Sequence, residues 1–291
     1  GRLAVLPTET VYGLAARADS AAAVAAIFRT KGRPSFNPLI VHVADLAMAE
    51  RLARLDARAR MLAARFWPGP LTLVLPLRPD APIVPAVTAG LPTLALRSPA
   101  HPLALSVLRA LDLPLAAPSA NRSCGLSPTT PAHVLASLGA AAPPVLDGGA
   151  CVAGLESTIV ALREGETWEV LRPGPVPQAA LEALLGPPAA RIGGRPIEAP
   201  GQMARHYAPG KPLRLGARHA AAGEFLLGFG AVAGEWSLSP AGDLAEAAAR
   251  LYAGLHVAAA APQPAIAVAP IPATGMGAAI NDRLRRAATP E

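Results

Sequence analysis

The stretch Lys31-Gly32-Arg33-Pro34-Ser35-Phe36-Asn37-Pro38-Leu39-Ile40-Val41-His42-Val43 constrains the fold more than any other. Two cations, a glycine and two prolines pin the backbone open, and an apolar run carrying a lone histidine follows. A helix over Ala21–Thr30, capped by Asp19 or Ser20 with Val24, Ile27 and Phe28 inward, must therefore stop at a charged loop that feeds a buried strand over Leu39–Val43. The chain has only two lysines, Lys31 and Lys211, so Lys31 beside Arg33 stands out against an arginine-only background. A compact ammonium next to a forked guanidinium suits different oxygens of one polyphosphate or carboxylate; the alternative for Lys-Gly-Arg alone is a solvated basic turn.

Around this stretch the patterns alternate between strand and helix. Leu3–Leu6 reads as a strand stopped by Pro7, and Thr8 to Leu14 as a turn able to line a polar pocket. Helices are expected near Leu46–Leu55 after Asp45 and over Arg58–Phe66, then a strand over Leu71–Leu77. Thr93, Ala95 and Arg97 share one face of a further strand, where the arginine needs an anion partner. A helix over His101–Leu111 leads to the small-residue loop Ser119-Ala120-Asn121, extended by Ser127-Pro128-Thr129. Pro131 and Gly139 bracket another helix. Strands over Pro144–Asp147, Glu156–Leu162 and Thr167–Arg172 and a helix over Pro177–Leu185 complete a first domain, residues 1–186. Residues 187–210 are rich in proline and glycine and read as a linker, yet a mere spacer has little use for Arg205-His206-Tyr207. Residues 211–291 read as a small α/β domain with strands near Phe225–Phe229 and Ala265–Ala269, a helix near Leu244–Leu255 and a basic final helix ending Arg283-Leu284-Arg285-Arg286.

At 291 residues, 52% hydrophobic and 16% charged, the chain is folded and long enough for two cores. It shows no apolar run of membrane-spanning length and no basic-then-apolar leader, which reads as cytoplasmic. It begins with Gly1 close before a strand, from which a short preceding segment is expected. Cys124 and Cys151 are too few and too distant for a disulfide framework or zinc site. Walker loops, zinc-protease helices, nucleophile elbows and dinucleotide fingerprints do not occur, and no dedicated metal ligand is legible. What remains is a dispersed set of hydroxyls (Thr8, Thr10, Thr93, Ser119, Ser127, Ser157, Thr158) with Lys31, Arg33, Arg97, Arg172 and His42, which favours electrostatic catalysis at a phosphate. Taken alone, His42 reads as a satisfied core histidine, Arg97 equally as a structural ion pair, Ser119 and Asn121 as turn formers, and Tyr207 as a packing anchor.

Seven ordered motifs change that balance: Pro7-Thr8-Glu9-Thr10-Val11-Tyr12-Gly13-Leu14; Lys31-Gly32-Arg33-Pro34 with Asn37-Pro38-Leu39; Phe66 to Thr72; Ala117-Pro118-Ser119-Ala120-Asn121; Glu156-Ser157-Thr158; Leu171-Arg172-Pro173-Gly174; and His206-Tyr207-Ala208-Pro209. With them the chain resembles the threonylcarbamoyl-AMP synthase family in its long form. The resemblance implies a YrdC-like twisted mixed sheet with flanking helices, followed by a small Rossmann-like α/β C-terminal domain. It implies a nucleotidyltransferase that converts L-threonine, bicarbonate or CO2 and ATP into threonylcarbamoyl-AMP and pyrophosphate, for later use by tRNA threonylcarbamoyl transferase proteins. It places threonine against Thr10, His42, Arg97 and Ser157, and ATP against Arg33, Asn37, Thr93, Ala117, Ser119, Ser127, Arg172 and Tyr207. Lys31 and Arg33 then stabilise phosphate charge, magnesium arrives on ATP, and residues 187–210 close as an active-site lid. The competing class is an RNA-binding or ribosome-maturation module. Its support is the basic cluster of Arg29, Lys31, Arg33, Arg51, Arg54, Arg58, Arg60 and Arg65 against Asp45, Glu50 and Asp56, and its weakness is the lack of interleaved aromatics. Carbamoyl transfer to another acceptor is a third reading, disfavoured by the absence of zinc-finger cysteines.

Overall fold

A computed structural model describes residues 2–189, 197–203 and 206–290. In chain order the first domain comprises β1 (Ala4–Leu6), β2 (Gly13–Arg17), α1 (Ala21–Lys31), β3 (Ile40–His42), α2 (Leu46–Leu52), α3 (Ala57–Phe66), β4 (Leu71–Pro76), α4 (Pro85–Thr88), β5 (Thr93–Arg97), α5 (Pro102–Leu111), β6 (Leu115–Ala116), α6 (Pro131–Leu138), β7 (Thr158–Leu162), β8 (Trp168–Arg172) and α7 (Gln178–Leu185). Its strands form one mixed sheet, ordered β1-β2-β6-β3-β5-β4-β7-β8. The second unit holds β9 (Leu213–Leu215), β10 (Glu224–Gly228), β11 (Trp236–Ser237), α8 (Leu244–Ala260), β12 (Ala265–Val268) and α9 (Met276–Ala287), with a wholly parallel sheet ordered β11-β10-β12-β9.

The loop that opened the sequence reading is delivered by helix capping. Ser20 accepts the Ala23 N–H at the start of α1, and Gly32 ends the helix at φ +62°, with its N–H and that of Arg33 bonding back to Arg29 and Phe28. A left-handed glycine at this position satisfies the last carbonyls and turns the chain, so Lys31 closes the helix and Arg33 leaves it on a fixed heading. Two expectations differ from the structure. Gly13 and Leu14 belong to a strand rather than a turn, because β2 ladders onto both β1 and β6; Gly13 also passes so close that a Cβ would lie 3.3 Å from that of Ala117. Pro144–Asp147 forms only an isolated bridge from Val145 to Val5, since the preceding prolines offer no N–H for a ladder.

One face of the large sheet carries the main core. The opposite face carries Ile40, Val74, Ala95, Ile159, Ala161 and Leu171, and the linker residue Ala199 packs into this group, fully buried. The linker segment is internally braced where described: Gln202 Oε1 accepts the N–H groups of Glu198 and Ala199, and Glu198 pairs with Arg163. Arg205 lies outside the described residues. The second unit shares its core with the first, since Val11, Leu126, Leu155 and Tyr207 pack in one cluster with Leu227, Leu251, Tyr252 and Leu255.

Backbone contact seals this junction. Gly154, at φ +66°, lies against α8 so closely that a Cβ would fall 2.4 Å from Ala249 Cα and 2.6 Å from the Ala248 carbonyl oxygen. A β-branched residue there is strained by its φ and blocked by backbone that cannot swing aside. Gly154→Val should destabilise the protein by on the order of 3 kcal/mol and loosen α8. Denaturant unfolding and limited proteolysis measure this, and a wild-type unfolding midpoint would contradict the close-approach reading.

Candidate active site

Strand register assembles the site on the face opposite the main core. β3 and β5 run parallel with Ile40 opposite Ala95 and His42 opposite Arg97, so histidine and arginine stand side by side. At the far side Ile159 pairs with Arg172 across a bulge between β7 and β8, which brings that guanidinium to the same cleft. The mouth of the cleft is formed by Ala117, Pro118 and Ser119 after β6, and Pro200, His206 and Tyr207 of the linker roof it.

One end is built from the Thr8-Glu9-Thr10 turn. Thr8 Oγ1 lies 2.9 Å from Thr10 Oγ1, which accepts a hydrogen bond from Arg97 Nη1 at 2.8 Å. Arg97 Nε donates to the Gly69 carbonyl, and Nη2 lies 2.7 Å from the Glu9 carboxylate. The anion partner that a buried arginine needs is thus a residue the sequence reading passed over. Glu9 was legible only as the charged member of a hydroxyl-rich turn. Arg97 keeps N–H groups on both terminal nitrogens for a second carboxylate. His42 beside it is buried, its Nδ1 has no partner among the described residues, and burial together with the Arg97 charge pushes it down to about 3, so the ring is neutral.

The other end concentrates positive charge. Arg33 donates to the Asn37 carbonyl, Asn37 Oδ1 and the Pro38 carbonyl, and Arg172 donates to the backbone and hydroxyl oxygens of Ser157. Both are buried, and among the described residues neither has a carboxylate within ion-pair distance. Burial pushes Arg33 down to about 10 and lowers Arg172 as well. Ser157 Oγ also bonds Thr72 Oγ1 at 2.7 Å. Tyr207 holds φ +63°, an uncommon conformation for a tyrosine, and its buried hydroxyl has no partner among the described residues. Gly201 accommodates it: a Cβ there would lie 2.7 Å from Arg172 Cδ and 3.0 Å from Tyr207 Oη.

Of the residues expected at the site, Thr10, Arg33, His42, Arg97, Ala117, Ser119, Ser157, Arg172 and Tyr207 line one cleft. Four stand outside its lining. Lys31 is buried behind it, its Nζ donating to the Ser119 and Asn121 carbonyls at 2.6 Å each and to Asn121 Oδ1 at 3.4 Å. Burial and then Arg33 push the ammonium well below its ordinary value. Asn37 orients Arg33 and donates to Met203 Sδ, Ser127 donates to Glu156, and Thr93 begins β5 on the Arg97 face. Glu156, unforeseen, brings a carboxylate to the cleft lining. Its signal was position alone, immediately before Ser157.

The fold is that of an α/β protein whose buried cleft holds two guanidiniums without a paired carboxylate and, among the described residues, unpartnered polar atoms on His42, His206 and Tyr207, a lining suited to a small anion. The chain belongs to the Sua5/YciO/YrdC family, whose model, described as telomere recombination, matches residues 1–174; the model described as the threonylcarbamoyl-AMP synthase C-terminal domain matches residues 176–289. It is 46% identical over 215 residues to the threonylcarbamoyl-AMP synthase of Bacillus subtilis (72% of this chain, 61% of that protein). It is 45% identical over 219 residues to that of Pyrococcus abyssi (72% and 62%). The matched regions therefore span less than two thirds of these relatives' own length. The crystal structure of P. abyssi Sua5 complexed with L-threonine superposes with a TM-score of 0.88 at 34% identity, over 99% of this chain and 90% of that one.

The histidines make the stability acid-sensitive. His42 and His206 are pushed down to about 3 and His133 to about 4, all by burial, and His256 is lowered likewise. Below the ordinary value of 6.5 the unfolded chain binds protons that the folded one refuses, so stability falls as pH falls. His42 and His206 should each remove up to about 1.4 kcal/mol per pH unit below that point. The thermal midpoint should drop steadily between about pH 6.5 and pH 4, before Glu156, pushed down to about 2 by Arg283 and Arg172 against its burial, begins to protonate. A flat midpoint across that window would contradict neutral buried histidines.

Proposed function

We propose that this chain forms threonylcarbamoyl-AMP and pyrophosphate from ATP, L-threonine and bicarbonate. The observation that carries the reading is the pair of buried guanidiniums, Arg33 and Arg172, without carboxylate partners among the described residues, at the end of the cleft away from the Thr10–Arg97 turn. A buried cation without a directly paired carboxylate is costly unless an anion completes it, and a nucleotide polyphosphate is such an anion. The threonine carboxylate takes the free N–H groups of Arg97, while neutral His42, Thr10 and Ser157 offer hydrogen bonds to its hydroxyl and amine. The threonine amine attacks bicarbonate carbon, water leaves, and the resulting carbamate oxygen attacks the α-phosphorus as pyrophosphate departs. Negative charge grows on phosphate oxygens, where prepositioned Arg33 and Arg172 act without reorganisation.

Lys31 has its role one layer back. It ties the Ser119 and Asn121 carbonyls into the loop that, with Ala117, forms the mouth on the nucleotide side, and its charge adds to the field there. Asn37 aims Arg33 and Ser127 is held by Glu156, while Thr93, expected against ATP, begins β5 outside the cleft lining. The linker roof of Pro200, His206 and Tyr207 keeps water from the carbamate and the acyl-adenylate, both prone to hydrolysis. Magnesium travels with the ATP phosphates, because Glu156, whose carboxylate lines the cleft, is engaged by Arg283, and Glu9 is engaged by Arg97. It supplies further charge neutralisation when bound. The product passes to proteins that transfer its threonylcarbamoyl group to tRNA. The RNA-binding alternative loses support, since within the basic cluster Arg51, Arg58 and Arg60 pair with carboxylates and Lys31 and Arg33 are buried.

Pyrophosphate release from ATP, dependent on both threonine and bicarbonate, is the direct test; release independent of either substrate would overturn the reaction. In that assay Arg33→Ala should raise the barrier by about 2–4 kcal/mol, the usual loss for one preorganised charge donor. Wild-type turnover would remove Arg33 from the phosphate site. The polar amino-acid pocket should discriminate serine, which lacks one methyl, by about 1–3 kcal/mol in kcat/KM, and should reject valine, which lacks the hydroxyl, more strongly. Valine competing as well as serine would refute a pocket that reads the hydroxyl.

A further inference from the structure

The last helix of the chain reaches into the cleft's supporting layer. Arg283 of α9 is fully buried, with Nε 2.8 Å from Glu156 Oε2, Nη2 donating to the Glu156 carbonyl at 3.3 Å and Nη1 donating to Asp282 at 2.8 Å. Its guanidinium carbon lies 5.3 Å from the centroid of the Tyr207 ring. The same Glu156 carboxylate accepts from Tyr252 of α8 and from Ser127. One turn on, Arg286 pairs with Asp282, donates to the Met203 carbonyl and accepts the His206 N–H on its own carbonyl. Thus α9 grips the cleft's carboxylate and both flanks of the roofing linker, while Arg283 itself does not line the cleft.

Interface adhesion alone does not account for this arrangement. The two units already share an apolar cluster and the Gly154–α8 contact. Burying an ion pair costs desolvation that apolar side chains of like size avoid, so such a pair adds little adhesion and instead imposes a single geometry. That geometry ends on Glu156 and Tyr207, which line the cleft, and through Glu156 on Ser127.

We propose that Arg283 is a positioning residue for the nucleotide half of the site: it holds Glu156 in place, and through it Ser127, and it supports Tyr207, so that the C-terminal domain sets how the cleft receives ATP. This rests on the reaction proposed above. The role predicts a selective kinetic signature, because among the threonine-end residues only Ser157 adjoins a residue that Arg283 holds, whereas Thr10, Glu9 and Arg97 are tied to one another and to Gly69. The test measures kcat and the KM values for ATP and threonine, with equilibrium ATP binding by calorimetry, in wild type, Arg283→Met, Arg283→Lys, Glu156→Gln and the Arg283→Met/Glu156→Gln double variant.

In Arg283→Met the KM for ATP should rise about tenfold or more, with the threonine KM changed less than about threefold. Lysine offers one point charge that cannot hold side chain and backbone together, so Arg283→Lys should fall between wild type and Arg283→Met. Glu156→Gln should reproduce the ATP effect, and the double variant should be no worse than the more impaired single one, since both act through one unit. A merely structural role would lower kcat by loss of active protein, with both KM values unchanged, and that outcome overturns the proposal, as does an additive double variant. Should Arg283→Met fail to fold with its uncompensated Glu156, Arg283→Lys and the double variant decide the matter; wild-type KM for ATP in Arg283→Lys would overturn it. Absence of pyrophosphate release in the wild type would sink the reaction instead, and the calorimetric ATP affinities across the variants would still decide the role of Arg283.

Discussion

Five cationic side chains, Lys31, Arg33, Arg97, Arg172 and Arg283, are buried in one neighbourhood, and the rest of the structure is organised to make that tolerable. Each is surrounded by oxygens fixed by backbone geometry. The Schellman-type end of α1 aims Lys31 at two carbonyls, and the Pro34–Pro38 loop curls its own carbonyls onto Arg33. Carboxylates are paired with two of the arginines and, among the described residues, not with two others: Glu9 meets Arg97, Glu156 meets Arg283, and Arg33 and Arg172 donate to neutral acceptors. That uneven distribution, rather than the number of positive charges, gives the cleft its preference for an anion.

The linker is structural as much as it is a connection. Ala199 completes an apolar patch on the sheet's second face, Gly201 makes room for Arg172 and Tyr207, and Ala208 bonds Cys124 in the loop beyond Asn121. Tyr207 and Cys124 both hold positive φ at this meeting point, a strain that persists only where neighbouring contacts over-determine the backbone. The histidine pair His133–His256, stacked with centroids 3.9 Å apart, adds a further contact between the units near Ser127. Loop, linker and C-terminal domain thus form one continuous layer over the site.

Much of this was legible in the chain itself. The period of apolar residues placed α1, β5, α5, β7 and β8 within a residue or two, because those segments bury one face and end on proline, glycine or an acidic cap. Motif resemblance located most of the cleft's lining. The elements misread were those without an autonomous signal: β2 exists because β1 and β6 flank it, and Pro144–Asp147 lacks the donors a ladder requires.

By itself the sequence determined that this chain alternates helices and strands and that a cationic loop follows α1, and its motifs singled out hydroxyl and arginine residues most of which the fold gathers around one cleft. Local propensity, capping and side-chain chemistry are encoded residue by residue, so they can be read without a fold. Only the tertiary structure decided that Lys31 braces a loop behind the cleft, that Glu9 rather than an exogenous anion partners Arg97 first, and that Glu156 is held from the far end of the chain by Arg283. Those outcomes depend on which charges burial brings within a few ångströms of each other across nearly the whole sequence, and no local pattern carries that information.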